Sequence, residues 1–128
     1  IIFYNHINDG ELSALYARAD VYLCMSEHEG FCVPLVEAMS NGLPIVSSNG
    51  GAIGETLNGA GILLDVDAPL IDYVASLDLA VNDDIVRKDL IEKSKKSANA
   101  LDLNFETKRS VDWLTQTGDF KPVINGGK

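Results

Sequence analysis

Apolar and polar positions alternate along this chain in blocks that change period. Ile1–Tyr4 is a short apolar run before a polar stretch, Asn5–Gly10, and reads as a buried strand followed by a loop. From Glu11 the apolar positions Leu12, Leu15, Tyr16 and Ala19 recur at helical spacing and predict a short amphipathic helix that Asp20 ends. Val21–Met25 is apolar throughout, as strands covered on both faces are. Ser26–Gly30 is polar and predicts a loop. The next helix is expected over Val33–Asn41, with Pro34 in its first turn, Leu35, Ala38 and Met39 toward a sheet, and Gly42 as the stop. Leu43–Ser47 predicts a third strand, Asn49–Gly51 a glycine loop and Gly61–Leu64 a fourth strand. Beyond Asp67 the pattern turns helical, over about 69–81, 83–98 and 104–116, with Asp102 or Asn104 as a cap for the last helix.

Strands alternating with helices predict an α/β fold, a Rossmann-like parallel sheet with flanking helices. Four strands are few for a complete doubly wound domain. The expected division is a ligand-binding domain over 1–117, incomplete at its N-terminal side, and a disordered tail over 118–128.

Composition narrows the function classes. The 128 residues are 46% hydrophobic, enough to bury a core. There are 19 acidic and 10 basic side chains, a formal net charge of −9, which argues against nucleic acid as a partner and against a polybasic membrane patch. Residues 1–60 carry seven acids and one base, Arg18. An anion bound by this half must therefore draw on backbone N–H groups or on another part of the protein. No apolar run approaches the length of a membrane span, and no signal peptide opens the chain. Cys24 and Cys32 read as buried free thiols, neither His6 nor His28 forms a ligand pattern with them, and no metal site or cofactor is expected. A reducing, cytoplasmic setting fits the cysteine usage.

The candidate chemistry gathers at strand ends. In open parallel sheets, ligands bind beyond the carboxyl ends of the strands. The segment Ser26–Gly30 follows one strand and Ser48–Gly51 another, so both should line one crevice, with the start of the helix near Val33 pointing into it. The helix dipole makes that point attractive to phosphate or polarised hydroxyl oxygens, and a carboxylate there accepts hydrogen bonds from sugar hydroxyls. Glu29 and Glu37 stand eight positions apart across this turn.

The run Glu29-Gly30-Phe31-Cys32-Val33-Pro34-Leu35-Val36-Glu37-Ala38-Met39, with Gly42-Leu43-Pro44-Ile45-Val46-Ser47 after it, resembles the donor domain of retaining glycosyltransferases of the two-domain GT-B fold, family 4 (group 1). Glu11-Leu12, Leu15-Tyr16, Ala19-Asp20-Val21, Gly51–Thr56 and Gly59–Leu63 match the same family. The resemblance runs from about Ile2 to Leu114. It implies the donor-binding, C-terminal part of an enzyme that moves a sugar from a nucleoside diphosphate sugar to an acceptor hydroxyl, on a free or lipid-linked sugar, with retained configuration. It assigns Glu29 to the donor sugar as the catalytic carboxylate and Glu37 to the ribose, and it sets the backbone of Gly30, Phe31, Cys32 and Val33 against sugar and diphosphate. It also implies an N-terminal acceptor domain and an Arg/Lys pair for the diphosphate. Neither is in this chain, which by itself is expected to be inactive. Cytoplasmic location, peripheral at the inner membrane, goes with that function. Two positions depart from the pattern: the family often has Gly where Cys32 stands and Pro where Gly54 stands, and Gly54 is expected to loosen a loop before Glu55. The other readings are a nucleotide-sugar epimerase of the same fold and a non-catalytic flavodoxin-like module.

Overall fold

The computed structural model describes Ile2, Tyr4 and residues 6–116, with side chains as far as Leu101. Its elements are α1 (Asp9–Arg18), β1 (Tyr22–Cys24), α2 (Val33–Ser40), β2 (Ile45–Ser48), α3 (Ile53–Leu57), β3 (Ile62–Leu64), α4 (Leu70–Asn82) and α5 (Asp84–Gln116). The strands form a parallel sheet in the order β1-β2-β3, with Tyr22 opposite Ile45 and Val46 opposite Ile62. This is the expected α/β class.

The central strand has no solvent-facing side. Every residue of β2 is buried. Ile45 packs with Tyr16, Leu35, Met39, Ile53 and Leu57 on one face. Val46 packs with Tyr73, Ala80 and Leu90 on the other. Successive side chains of a strand point to opposite faces, so a strand between two helical layers buries every position: Ile45 and Val46 as apolar residues, Ser47 and Ser48 with their hydroxyls donating to the carbonyls of Ser48 and Ser26. α5 serves both layers, with Leu90 on one side and Ala98 on the other. Its buried Ser94 lies within hydrogen-bonding distance of the carbonyls of Leu43 (3.0 Å) and Ala60 (3.1 Å), which tie the helix to the starts of β2 and β3.

Four expectations are corrected. Ile2 and Tyr4 lie outside regular structure and are exposed, at 76% and 56%. An apolar run becomes a strand only beside a partner, and these two residues join neither β1 nor β3; Ile1 and Phe3 lie outside the described residues. The two last helices are one, α5, running through Asp102 and Asn104 without a cap. No glycine or proline interrupts residues 84–116, so nothing in the backbone ends the helix there. The segment after the glycine loop is α3, so Gly54 sits within a helix and not in a loop. That leaves a sheet of three strands among the described residues. The tail over 118–128 lies outside the described residues.

Candidate functional site

The parallel sheet runs its strand ends to Cys24 and Ser48, and the polypeptide leaves both ends on the same side. There the segments 26–30 and 48–52 are joined. The Ser48 hydroxyl donates to the Ser26 carbonyl at 2.6 Å, and the Ala52 amide donates to the Glu29 carbonyl at 3.0 Å. The two glycines of the second segment permit this approach. A Cβ at Gly50 would lie 2.5 Å from the Glu27 carbonyl oxygen and nearer still to that of Ser26. Gly51 has φ +63, and a Cβ there would meet the Glu29 carbonyl oxygen. Gly50 and Gly51 therefore fix loop on loop.

α2 starts at the same end. Its N-cap, Cys32, takes a left-handed conformation (φ 46) and makes no side-chain capping bond, and no acidic residue stands in the first turn. The contrast with α1 is informative: Asn8 and Glu11 there form a complete capping box. The positive end of α2 is left without a carboxylate from its own first turn, as a helix that receives an anion requires. The positive φ also supplies a backbone reason for a glycine at position 32. Cys32 is buried in the core cluster with Cys24 and Leu35. Phe31 and Val33 on either side are exposed, at 42% and 46%.

The structure brings the two glutamates to different surroundings. Glu37, half-buried on α2, accepts a hydrogen bond through Oε2 from the Tyr16 hydroxyl at 3.1 Å. The same hydroxyl is 3.3 Å from the Pro34 carbonyl. Burial, then the bond and charge of Glu37, push the Tyr16 phenol up to about 12, so it remains a donor throughout neutral pH. Tyr16 was legible only as one apolar position of α1. Its hydroxyl, which must find a partner when the ring is buried, was the signal for a positioning role. The Tyr22 ring stands 6.3 Å from that of Tyr16, and its phenol too is raised, by burial first and by Cys24 and Cys32 next.

Glu29 is half-buried, with a carboxylate oxygen and the sulfurs of Cys24 and Cys32 all within 4.8 Å of one another. Burial raises the Cys32 thiol, the Leu35 amide offsets part of that rise, and Cys24 and Glu29 add to it. Residue order alone does not announce this grouping. Gly30 presents the opposite case to Gly50: a Cβ there meets nothing within 4 Å. His6, Glu27, His28 and Glu55 are exposed, Glu55 in the first turn of α3. Among the basic residues from position 87 onward, Arg87 donates to the Asp20 carbonyl and pairs with its carboxylate at 3.8 Å, and Lys93 pairs with Asp89.

A family model described as "Glycosyl transferases group 1" matches residues 1–97, three-quarters of the sequence. The chain belongs to the group 1 glycosyl transferases. It is 38% identical over 80 residues to the O-antigen chain mannosyltransferase B of Escherichia coli, covering 60% of this chain and 21% of that protein. A GDP-mannose-dependent alpha-mannosyltransferase of Mycolicibacterium smegmatis is 35% identical over 68 residues, 52% of this chain and 18% of that protein. This group 1 chain thus spans between about a tenth and a fifth of the length of the curated relatives it matches. In fold it is similar to sucrose-phosphate synthase from Thermosynechococcus elongatus, with a TM-score of 0.72 at 20% identity over 91% of this chain and 30% of that one. The matched residues of the group 1 model include both strand-end segments, α2 and the two glutamates.

Proposed function

We propose that this chain is the donor-binding part of a retaining glycosyltransferase of family 4 and GT-B architecture, which uses a nucleoside diphosphate sugar and transfers its sugar to an acceptor hydroxyl. The observation that carries the reading is the start of α2. A helix without a side-chain cap or first-turn acid opens beside joined strand-end loops, with one glutamate before it and one within it. In this reading the backbone of Gly30, Phe31, Cys32 and Val33 meets the diphosphate and sugar, Glu37 accepts from the ribose hydroxyls, and Glu29 accepts from the sugar. Gly30 supports it, because among the described residues nothing lies within 4 Å of a Cβ placed there.

Chemically, the protein's task is to hold the sugar in line with its acceptor and to stabilise the departing diphosphate. Tyr16 leaves a carboxylate with further lone pairs on Glu37, so the bond that orients Glu37 does not exhaust it. Positive charge for the diphosphate is scarce in this half, with Arg18 the sole Lys or Arg in residues 1–60. We therefore assign the Arg/Lys pair, and the acceptor site, to an N-terminal domain of the same protein, and the chain by itself is expected to transfer nothing. The acceptor is a sugar, free or lipid-linked. No helix among the described residues is long and apolar enough to cross a membrane; a cytoplasmic enzyme, peripheral at the inner membrane, fits the proposed donor.

The test is a transfer assay on the complete protein with a panel of nucleoside diphosphate sugars and sugar acceptors, the product anomer being read by NMR. A product with the donor's configuration is expected. An inverted product overturns the retaining assignment, and an isomerised nucleotide sugar without transfer would favour an epimerase.

A further inference from the structure

A cavity of about 460 Å³ is lined by Asn58, Gly59, Lys93, Lys96, Ser97 and Ala100. Asn58 and Gly59 stand between α3 and β3, just before that strand begins, and the other four residues lie on one face of α5. The cavity is therefore at the end of the sheet where β3 starts, opposite the strand exits that carry Glu29 and the start of α2. Its size falls within the range of small-molecule sites, about 300–1,000 Å³. We propose that it binds the phosphate monoester dianion of a small polar molecule.

Charge and donors support this chemistry. Lys93 and Lys96 are three positions apart and so are neighbours on the helix surface. Their two ammonium groups match a phosphate monoester, which carries about −1.5 to −2 at neutral pH. Among the described residues Lys96 has no ion pair. Lys93 pairs with Asp89 at 2.6 Å, in an exposed contact of the kind that contributes little. The turn between α3 and β3 adds uncharged donors, since the Asn58 carboxamide and the Gly59 amide bond to no group among the described residues. Gly59 is left-handed (φ +81), and a Cβ there would meet nothing within 4 Å, so this side is open. The Leu57 carbonyl, at the end of α3, accepts from the Ser97 hydroxyl at 3.1 Å and from the Ala60 amide at 2.9 Å. It is thereby paired, which weakens the repulsion that a helix C-terminus offers an anion. The cavity has room beyond one phosphate group, and Asn58 and Ser97 there are polar, so an ester fits better than free phosphate. The chain's net charge of −9 opposes an anionic bilayer, which makes the ester a soluble one and not a lipid headgroup.

Calorimetry on the complete protein tests the site, with glycerol 3-phosphate, inorganic phosphate and glycerol as titrants. A parallel arm sediments the protein with phosphatidylcholine vesicles containing phosphatidic acid. Glycerol 3-phosphate should saturate with a Kd of about 1 mM or below, more tightly than inorganic phosphate, and glycerol should give no binding heat. Lys96→Gln should weaken the ester about 5-fold, and the Lys93→Gln/Lys96→Gln double variant about 10-fold or more. Both lysines are exposed, so the variants should fold, and their affinity for the free nucleoside diphosphate should equal that of wild type. That equality separates this cavity from the donor crevice. Absence of saturable ester binding, or an ester affinity unchanged in the double variant, overturns the site. Equal affinity for phosphate and its ester overturns the choice of an ester, and vesicle binding without binding of the soluble ester overturns the choice of a soluble ligand. The ester titration uses no nucleotide sugar, so its failure leaves the transferase reading untouched, and failure of the transfer assay leaves this cavity untouched.

Discussion

Replacing Tyr16 by Phe removes one oxygen and keeps the ring in the core, which isolates the bond to Glu37. At neutral pH the variant loses a 3.1 Å hydrogen bond to a carboxylate. Such bonds contribute about 1.5–3 kcal/mol when buried, and Glu37 is half-buried and can recover water, so we expect a loss of about 1 kcal/mol. The pH dependence carries the sharper signature. The Tyr16 phenol is raised from 10.0 to about 12, by burial first and Glu37 second. Below pH 10 it is protonated in folded and unfolded chains alike, and its contribution is complete. Between pH 10 and about 12 the unfolded phenol ionises while the folded one stays protonated, so stability falls as pH rises. The ceiling on that fall is about 2.7 kcal/mol, and solvent screening beside exposed Pro34 lowers it to about 1–2 kcal/mol. Wild type should therefore start about 1 kcal/mol above Tyr16→Phe, lose that lead with rising pH, and meet it between about pH 11 and 12. Urea unfolding of both proteins at pH 7, 9, 10, 11 and 11.5 measures this. Parallel stability curves above pH 10 would refute the reasoning, since they would mean that the folded phenol titrates as the unfolded one does.

Two further substitutions test how the site is held. Gly50→Ala puts a Cβ against the carbonyls of Ser26 and Glu27, so it should separate the two strand-end segments and cost about 1–3 kcal/mol in denaturant unfolding; unchanged stability would show that the segments are not packed together. Ser94→Ala leaves the Leu43 and Ala60 carbonyls without their shared donor in a fully buried position, and thermal unfolding should register a loss of about 1–3 kcal/mol; a loss below about 0.5 kcal/mol would mean that water replaces the hydroxyl.

What the residues announced and what they hid divides along physical lines. β1, α2, β2, β3 and α4 were legible because each buries a face, and burial imposes a period on the sequence. The joined strand-end segments followed from the same topology, since parallel strands deliver their exits to one side. The strand expected over Ile1–Tyr4 is absent at its described residues, Ile2 and Tyr4, because apolarity records a need for cover and does not name the partner. α3 escaped because five residues, with glycine among them, give no readable period. The break expected near Asp102 was a matter of propensity alone, and a continuous helix overrides weak preferences. The roles proposed for Glu29 and Glu37 rest on their place in the chain and on the resemblance. The Tyr16–Glu37 bond and the grouping of Cys24, Glu29 and Cys32 join residues whose order in the chain says nothing about their side-chain directions.

The central claim is that the two glutamates divide the donor between them, and a paired measurement on the complete protein tests it most directly. Glu37→Gln and Glu29→Gln are each compared with wild type for affinity toward the free nucleoside diphosphate, by calorimetry, and for kcat, by product release. A carboxylate that accepts from ribose hydroxyls should lose about 1–3 kcal/mol of nucleotide affinity as an amide, so Glu37→Gln should bind the nucleotide weakly. Glu29 meets only the transferred sugar in this account, and its contacts strengthen as charge develops at the anomeric carbon. Glu29→Gln should keep the nucleotide affinity and lower kcat about 100-fold, or about 2.7 kcal/mol. Loss of nucleotide affinity in Glu29→Gln with kcat intact, or full affinity in Glu37→Gln, would contradict the division.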